Sequence, residues 1–425
     1  MAADPKQAAL ALHRFGLGPR DGSIRRIAND PRGALLAELQ KPNVARVSSA
    51  GMLNGGGTFR ALRKFSIESA ARQKAAPPSM MSAMVLPQTM MMATGPSGAM
   101  MRGDMAAPKA APVQNVPRVL YLKEAKARID KAMSADVGFV ERLVWFWSNH
   151  FAVAGDKVGA LAGTYEREAI RPHVLGRFAD MLYAVESHPA MLFYLDNAFS
   201  TGSNSFIGLT EDTSVNENLA REIMELHTVG VRSGYTQEDV TNLANVISGW
   251  SIRPVNDTKR GGEFAFVEER HEPGDQVIWG KNYPDNGLAQ GKAVLADLAR
   301  KPQTATHIAT KFARHFVADE PPPSLVEKLA RNFTETDGNL RELAKTLVMA
   351  QESWDAPRSK LKTPAEWIVS SLRTTGTKPE IGGIVRAQVI LGQPLWVPAA
   401  PTGLTRSGWW TRRSGRWRPT GRARP

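Results

Sequence analysis

The sequence predicts a mainly α fold: a multi-helical globular domain of about a dozen helices, with one small β-hairpin and a disordered insert. Three observations lead there. Apolar residues recur at the i, i+3, i+4, i+7 spacing in segment after segment, as they do when each helix buries one side in a shared core. Period-two alternation, the mark of a half-buried strand, is confined to residues 263–283. Across residues 75–117 both periods vanish, while nine of the sixteen Met gather among Ala and Pro with a single acid, Asp104. Such a stretch cannot bury enough apolar surface to offset its ordering entropy. The chain therefore divides into an N-terminal helical part (1–74), the insert (75–117), a main helical body (118–400) and an Arg/Trp-rich tail expected to be unstructured (401–425).

Taken in order, residues 5–41 read as two short helices. The first carries Ala8, Ala9, Leu12 and Phe15 and stops at Gly16-Leu17-Gly18-Pro19; the second carries Leu35, Leu36 and Leu39. The Gly-x-Gly follows a helix and lacks the third glycine of a dinucleotide loop, so it is a turn. In the insert, the Met clusters at 80 and 90 suit a solvated linker, with a soft metal or an apolar groove as their alternative use. Helices resume at 119–133 and 136–150. The second is apolar almost all round, through Phe139, Val140, Leu143, Val144, Phe146 and Trp147, and belongs at the centre of the core. His150 at its end reads first as a core histidine bonded to a backbone carbonyl, and second as a functional one. Phe178, Met181, Leu182 and Val185 mark an amphipathic stretch that His188-Pro189 interrupts, and residues 191–195 lead into the polar pair Asp196-Asn197. The hairpin is placed across Glu272-Pro273-Gly274-Asp275, with His271 and Glu272 at its tip. Helices follow at 292–299, 304–316, 324–333, 340–349 and 363–372. In the second of these His307, Lys311 and His315 make a surface or groove stripe, whose two histidines lie about 12 Å apart, too far to share a metal.

Composition excludes several classes. The chain has no cysteine, which removes disulfides, thiolate metal sites and cysteine nucleophiles together. No basic and apolar leader opens it and no run reaches the length of a membrane span, so a cytoplasmic protein without a membrane span is expected, with export left open. The net charge is +13, but residues 401–425 contribute +7 and residues 51–130 another +7, leaving 13 − 7 − 7 = −1 for the rest. A near-neutral body gives no reason to expect nucleic acid. The chain also lacks a Walker loop, His-Glu-x-x-His, Gly-x-Ser-x-Gly and an EF-hand loop.

The best-specified stretch is 214–250. Ser214 and Glu217 have capping-box spacing, so a helix is expected to begin there, with Leu219, Ile223 and Leu226 on one side and Glu217, Asn218, Arg221, Glu222 and Glu225 on the other. Gly230 should end it, and Thr236 with Asp239 should cap the next helix, through Val240, Leu243 and Ile247.

These residues also carry a likeness. YLDN at 194–197, NENLAREIMELHTVGV, YTQEDV and SGW, with WFWSNHF at 145–151 and HRFGLGP at 13–19, closely resemble the bacterial domain-of-unknown-function family 1800, over roughly residues 8 to 400. The resemblance brings no established activity. After LGQPLWVPAAPTG the chain departs from it: LTRSGWWTRRSGRWRPTGRARP has no acid and no helical period, as a frameshifted reading frame would yield. A genuine basic arm is the alternative.

Two functional readings follow from the polar face of 214–250. In the first, the protein is a scaffold or partner-binding protein, and Asp196, Asn197, Asn216, Glu217, Asn218 and Arg221 form a polar network or docking surface for a protein partner. In the second it is a hydrolase-like enzyme with catalytic candidates Glu222, Glu225, His150 and His271. There Glu222, Glu225 and His150 are candidate ligands for a divalent metal, and His227 points away to the apolar side. Convergence of Asn218, Glu222, Asp196, His150 and His271 in one pocket would favour the enzyme.

Overall fold

Helix Phe139–His150 sits at the centre, with ten of its twelve residues buried, as its all-round apolar pattern predicts. In the computed structural model, which describes residues 3–75, 115–378 and 380–398, it is one of twenty α-helices, and the other nineteen and two small two-stranded sheets lie around it. The excess over a dozen comes from helices of four to six residues, such as Gly155–Val158 and Glu352–Asp355, too short to show a period. Apart from residues 75 and 115–117, which belong to helix ends, the expected insert lies outside the described residues, as does the tail. Among the described residues no helix is long and apolar enough to cross a membrane.

The central helix starts at Phe139 rather than 136, and its cap comes from far away in sequence. The buried Glu38 carboxylate, on helix Pro31–Gln40, accepts from the backbone N–H groups of Val137, Gly138 and Val140 at 3.2, 3.0 and 2.9 Å. Residues 5–41 hold three helices, Pro5–Arg14, Ser23–Ile27 and Pro31–Gln40, instead of two. Phe15 packs edge-on against Phe139 at 5.9 Å, and one core cluster runs from Ala8 to Ile384.

Buried charges tie distant segments together. The Arg171 guanidinium forks onto Glu141 at 2.9 and 3.0 Å and reaches Glu166 at 3.1 Å, and Glu166 also pairs with Arg128 and accepts from the Trp396 indole at 3.1 Å. Arg14 donates to the carbonyls of Ser353 (2.6 Å) and Ala356 (2.7 Å), and Arg373 to those of Ala132 (2.8 Å) and Ala135 (2.7 Å). Both arginines satisfy carbonyls that helix ends leave open.

The β structure differs from expectation. Phe264–Phe266 pairs antiparallel with Trp250–Ile252, while Gln276–Ile278 pairs with Lys281–Tyr283 across Trp279-Gly280. Alternation reports that a segment is extended, not which strand it joins. The true hairpin turn has both central residues at positive φ, +54° and +73°, a two-residue type I′ geometry that a Trp-Gly pair does not announce. His271 and Glu272 are consequently buried between the two sheets in sequence instead of projecting at a tip.

Candidate functional site

The polar face of 214–250 forms, but from a later start. Helix Asn218–Glu222 begins at Asn218, and the Ser214 capping box is absent because Glu217 is engaged elsewhere. Its carboxylate accepts from Thr241 (2.7 Å) and Gln237 (2.9 Å) of the next helix and from Arg221 (3.0 Å), and these bonds hold it below the usual carboxylate range, Thr241 first. Asn216 instead accepts from the Asn218 N–H at 2.9 Å. Arg221 also reaches Glu225 at 3.4 Å, so the i, i+4, i+8 ladder is present. Thr236 and Asp239 form the expected capping box of helix Gln237–Val246. The ladder therefore clamps a helix corner, each half-exposed pair contributing about 0.3–0.5 kcal/mol.

The helix then changes its winding. Ile223–His227 is a π-helix, with i→i+5 bonds. In an α-helix, residues five apart lie about 140° from one another; an i→i+5 turn brings them back to one side. His227 is buried against Phe151, ring centroids 5.1 Å apart, on the apolar side expected for it, with its Nδ1 2.8 Å from Oε1 of the fully buried Glu186. That contact is short in distance but off-line in direction, and neither Glu186 oxygen has a hydrogen-bond partner among the described residues. Gly230 ends the segment at φ +88°; a Cβ there would meet His307 Nδ1 at 2.8 Å.

Three basic side chains cover this helix end. His150 Nε2 lies 3.1 Å from the His227 carbonyl, while His307 Nε2 and Lys311 Nζ lie 3.1 and 3.3 Å from that of Leu226. The two imidazoles act as neutral donors: burial drives His150 well below its ordinary range and His307 down to about 4. Burial likewise lowers Lys311 to about 8. Of the His307/Lys311/His315 stripe, His307 and Lys311 are therefore packed against this end, while His315 lies beside Arg142 and Glu366. Glu222 is raised, by burial first and by the neighbouring Glu186 and Glu225 carboxylates, against the opposing pull of His227 and Lys311.

The remaining candidates are not drawn in. Asp196 is exposed and paired with Lys157 at 2.8 Å, and Asn197 is fully buried, donating to the Ile247 and Trp250 carbonyls at 3.1 and 3.2 Å. Asn218 is exposed, and Glu225 is held by Arg221. Among the described residues no group of three His, Cys, Asp or Glu side chains could hold a metal ion, so Glu222, Glu225 and His150 do not form the expected ligand set. Asn218, Glu222, Asp196, His150 and His271 thus do not meet in one pocket, the arrangement that would have favoured the enzyme. Sequence reasoning missed the Glu186–His227 contact, because Glu186 closes a mostly apolar helix 41 positions earlier and nothing local marks its partner.

His271 belongs to a different place. It lines an open cleft of about 310 Å³ with Asn204, Ser205, Phe206, Glu268, Glu269 and Pro273. Its Nδ1 lies 3.1 Å from the Ser248 carbonyl, and the buried Glu272 beside it accepts from the Asn204 N–H (2.9 Å) and Nδ2 (2.5 Å), fixing the cleft wall. At the mouth Phe206 is 71% exposed and Leu209, one helical turn on, is 72% exposed.

The family model described as protein of unknown function (DUF1800) matches residues 10–419, which takes in most of the Arg/Trp-rich segment that the sequence reading set apart. No curated protein and no solved structure matches the chain.

Proposed function

Because the chain belongs to the DUF1800 family of proteins of unknown function, we propose its role from geometry: it is a partner-binding protein whose helical body presents the Phe206 cleft to a protein segment. One observation carries this reading. Phe206 and Leu209 expose large apolar surfaces, on one side of a short helix, beside a cleft edged by the exposed carboxylates Glu268 and Glu269. An apolar anchor inside a polar rim is how protein interfaces concentrate their energy. The rim's charge selects a segment that pairs an apolar residue with Arg or Lys.

A displayed random-peptide library panned against the full chain should enrich such segments. Phe206→Ser should then weaken the best of them at least tenfold, about 1.4 kcal/mol, without lowering Tm. Enrichment of acidic peptides, or binding indifferent to Phe206, would falsify the reading.

A second reading, the hydrolase-like enzyme, has the 2.8 Å Glu186–His227 approach in its favour: a turn of the imidazole into line would let the buried carboxylate orient it as a general base. Wild-type turnover of p-nitrophenyl acetate that disappears in His227→Gln would support it. For its metal-assisted form, elemental mass spectrometry should find stoichiometric divalent metal that the same substitution removes.

A further inference from the structure

A separate cluster of basic groups forms where the end of helix Pro5–Arg14, the start of helix Phe139–His150, the end of helix Pro302–Phe316 and residues 357–363 meet. Buried Arg142 links them: Nη1 donates to the Gly16 carbonyl at 3.1 Å, and Nη2 lies 3.4 Å from His315 Nε2 and 3.0 Å from Glu366 Oε1. Its Nε is buried without a partner. Lys362 Nζ donates to the His13 carbonyl at 3.3 Å, and burial first, then Lys362 and the exposed Arg358, depress the His13 imidazole.

Carboxylates are too few for these cations. Glu366 is fully used, Oε1 by Arg142 and, at 3.9 Å, by His315, Oε2 by the Thr363 N–H at 3.1 Å. Asp319 is taken by Lys360 at 2.7 Å. Among the described residues neither Lys362 nor Arg358 has a carboxylate within ion-pair distance. Burial, then Arg142 and Arg373, push Lys362 down to about 8 against the pull of Glu366; burial, then Arg142 and Lys360, hold His315 well below its usual range. Lys362 and His315 are partly exposed, so solvent reaches the cluster.

We propose that this cluster binds a phosphate-sized oxyanion, free or as a phosphomonoester, held by Lys362 with His13, His315 and Arg358 around it. An oxyanion offers several acceptors to donors arriving from different elements and supplies the countercharge that Lys362 and Arg358 lack. This site is independent of the Phe206 cleft.

Isothermal titration of the full chain with inorganic phosphate at constant ionic strength should show one saturable site. Lys362→Gln should weaken it at least tenfold, while Lys328→Gln, remote and paired with Glu352, should leave it unchanged. No binding heat, or equal binding by Lys362→Gln, overturns the proposal. Should Lys362→Gln fail to fold, wild-type acetylation read by peptide mass spectrometry decides: phosphate must slow modification of Lys362 several-fold and spare Lys328, and an unchanged Lys362 rate counts against the site. Phenyl phosphate distinguishes the sources. Tighter binding than inorganic phosphate assigns an esterified ligand, equal binding the free ion.

Discussion

At the scale of single residues, the histidines set the response to acid. His150, His307 and His315 are neutral in the fold because burial lowers them, His307 to about 4, whereas in the unfolded chain they take up a proton near 6.5. Their contribution is therefore complete above about pH 6.5 and is lost as pH falls below it, by about 1 kcal/mol per histidine at pH 5.5. Calorimetry should show Tm falling between pH 7 and 5.5, and less steeply in His307→Gln; a flat profile contradicts the burial argument. Glu222 has the opposite sign. Its carboxyl is raised, so what it contributes is present below about pH 4.5 and lost as pH rises through its folded value. Glu222→Gln should thus leave Tm at pH 7 unchanged or higher, and a fall of several degrees would mean that its charge is needed by His227 and Lys311. The sequence made His150's carbonyl bond readable, because an apolar helix ending in histidine has few other uses for the ring. It could not show Glu186, whose partner is 41 positions away across a change of helical winding.

At the scale of elements, caps supplied from far off decide where helices begin. Glu38 accepts three N–H groups at the start of the central helix although burial raises its carboxyl. Glu38→Gln, which keeps the size but replaces one acceptor oxygen by a donor, should cost about 1–3 kcal/mol in urea unfolding; a loss under 0.5 would show that water caps the helix equally well. The same distance effect explains what the sequence revealed. Long amphipathic helices such as Pro302–Phe316 and Leu340–Met349 were legible to within two residues, because their period repeats several times. The Thr236 cap was legible because both partners are local. The Ser214 cap was not, since the neighbouring helix competes for Glu217, and neither were the two π turns, Glu166–Ile170 and Ile223–His227, which no hydrophobic period marks. The first of these turns brings charged groups five positions apart together, Arg171 over Glu166 at 3.1 Å.

At the scale of the whole molecule, the buried Arg171 network joins elements that local forces would leave independent. Arg171→Met removes the cation and leaves Glu141 and Glu166 short of a partner in the core, so it should cost about 3–5 kcal/mol. Replacing the whole network, Arg128, Glu141, Glu166 and Arg171, by apolar residues of similar volume should recover most of that loss, and urea titrations of the single and quadruple variants separate the two effects. If the single substitution proves neutral, water reaches the network. The long span of these ties has a consequence for biosynthesis. Arg14 finds the Ser353 carbonyl 339 positions later, and Glu166 finds the Trp396 indole 230 positions later. At a ribosome adding roughly 5–20 residues per second, the first helix waits about 20 to 70 s for its closing contact. Throughout that time Phe15 and Leu12 have only part of their final surroundings, so the nascent chain exposes apolar surface until translation is nearly over, and a chain truncated before Trp396 should lose the Glu166 contact and unfold at lower urea than the full chain.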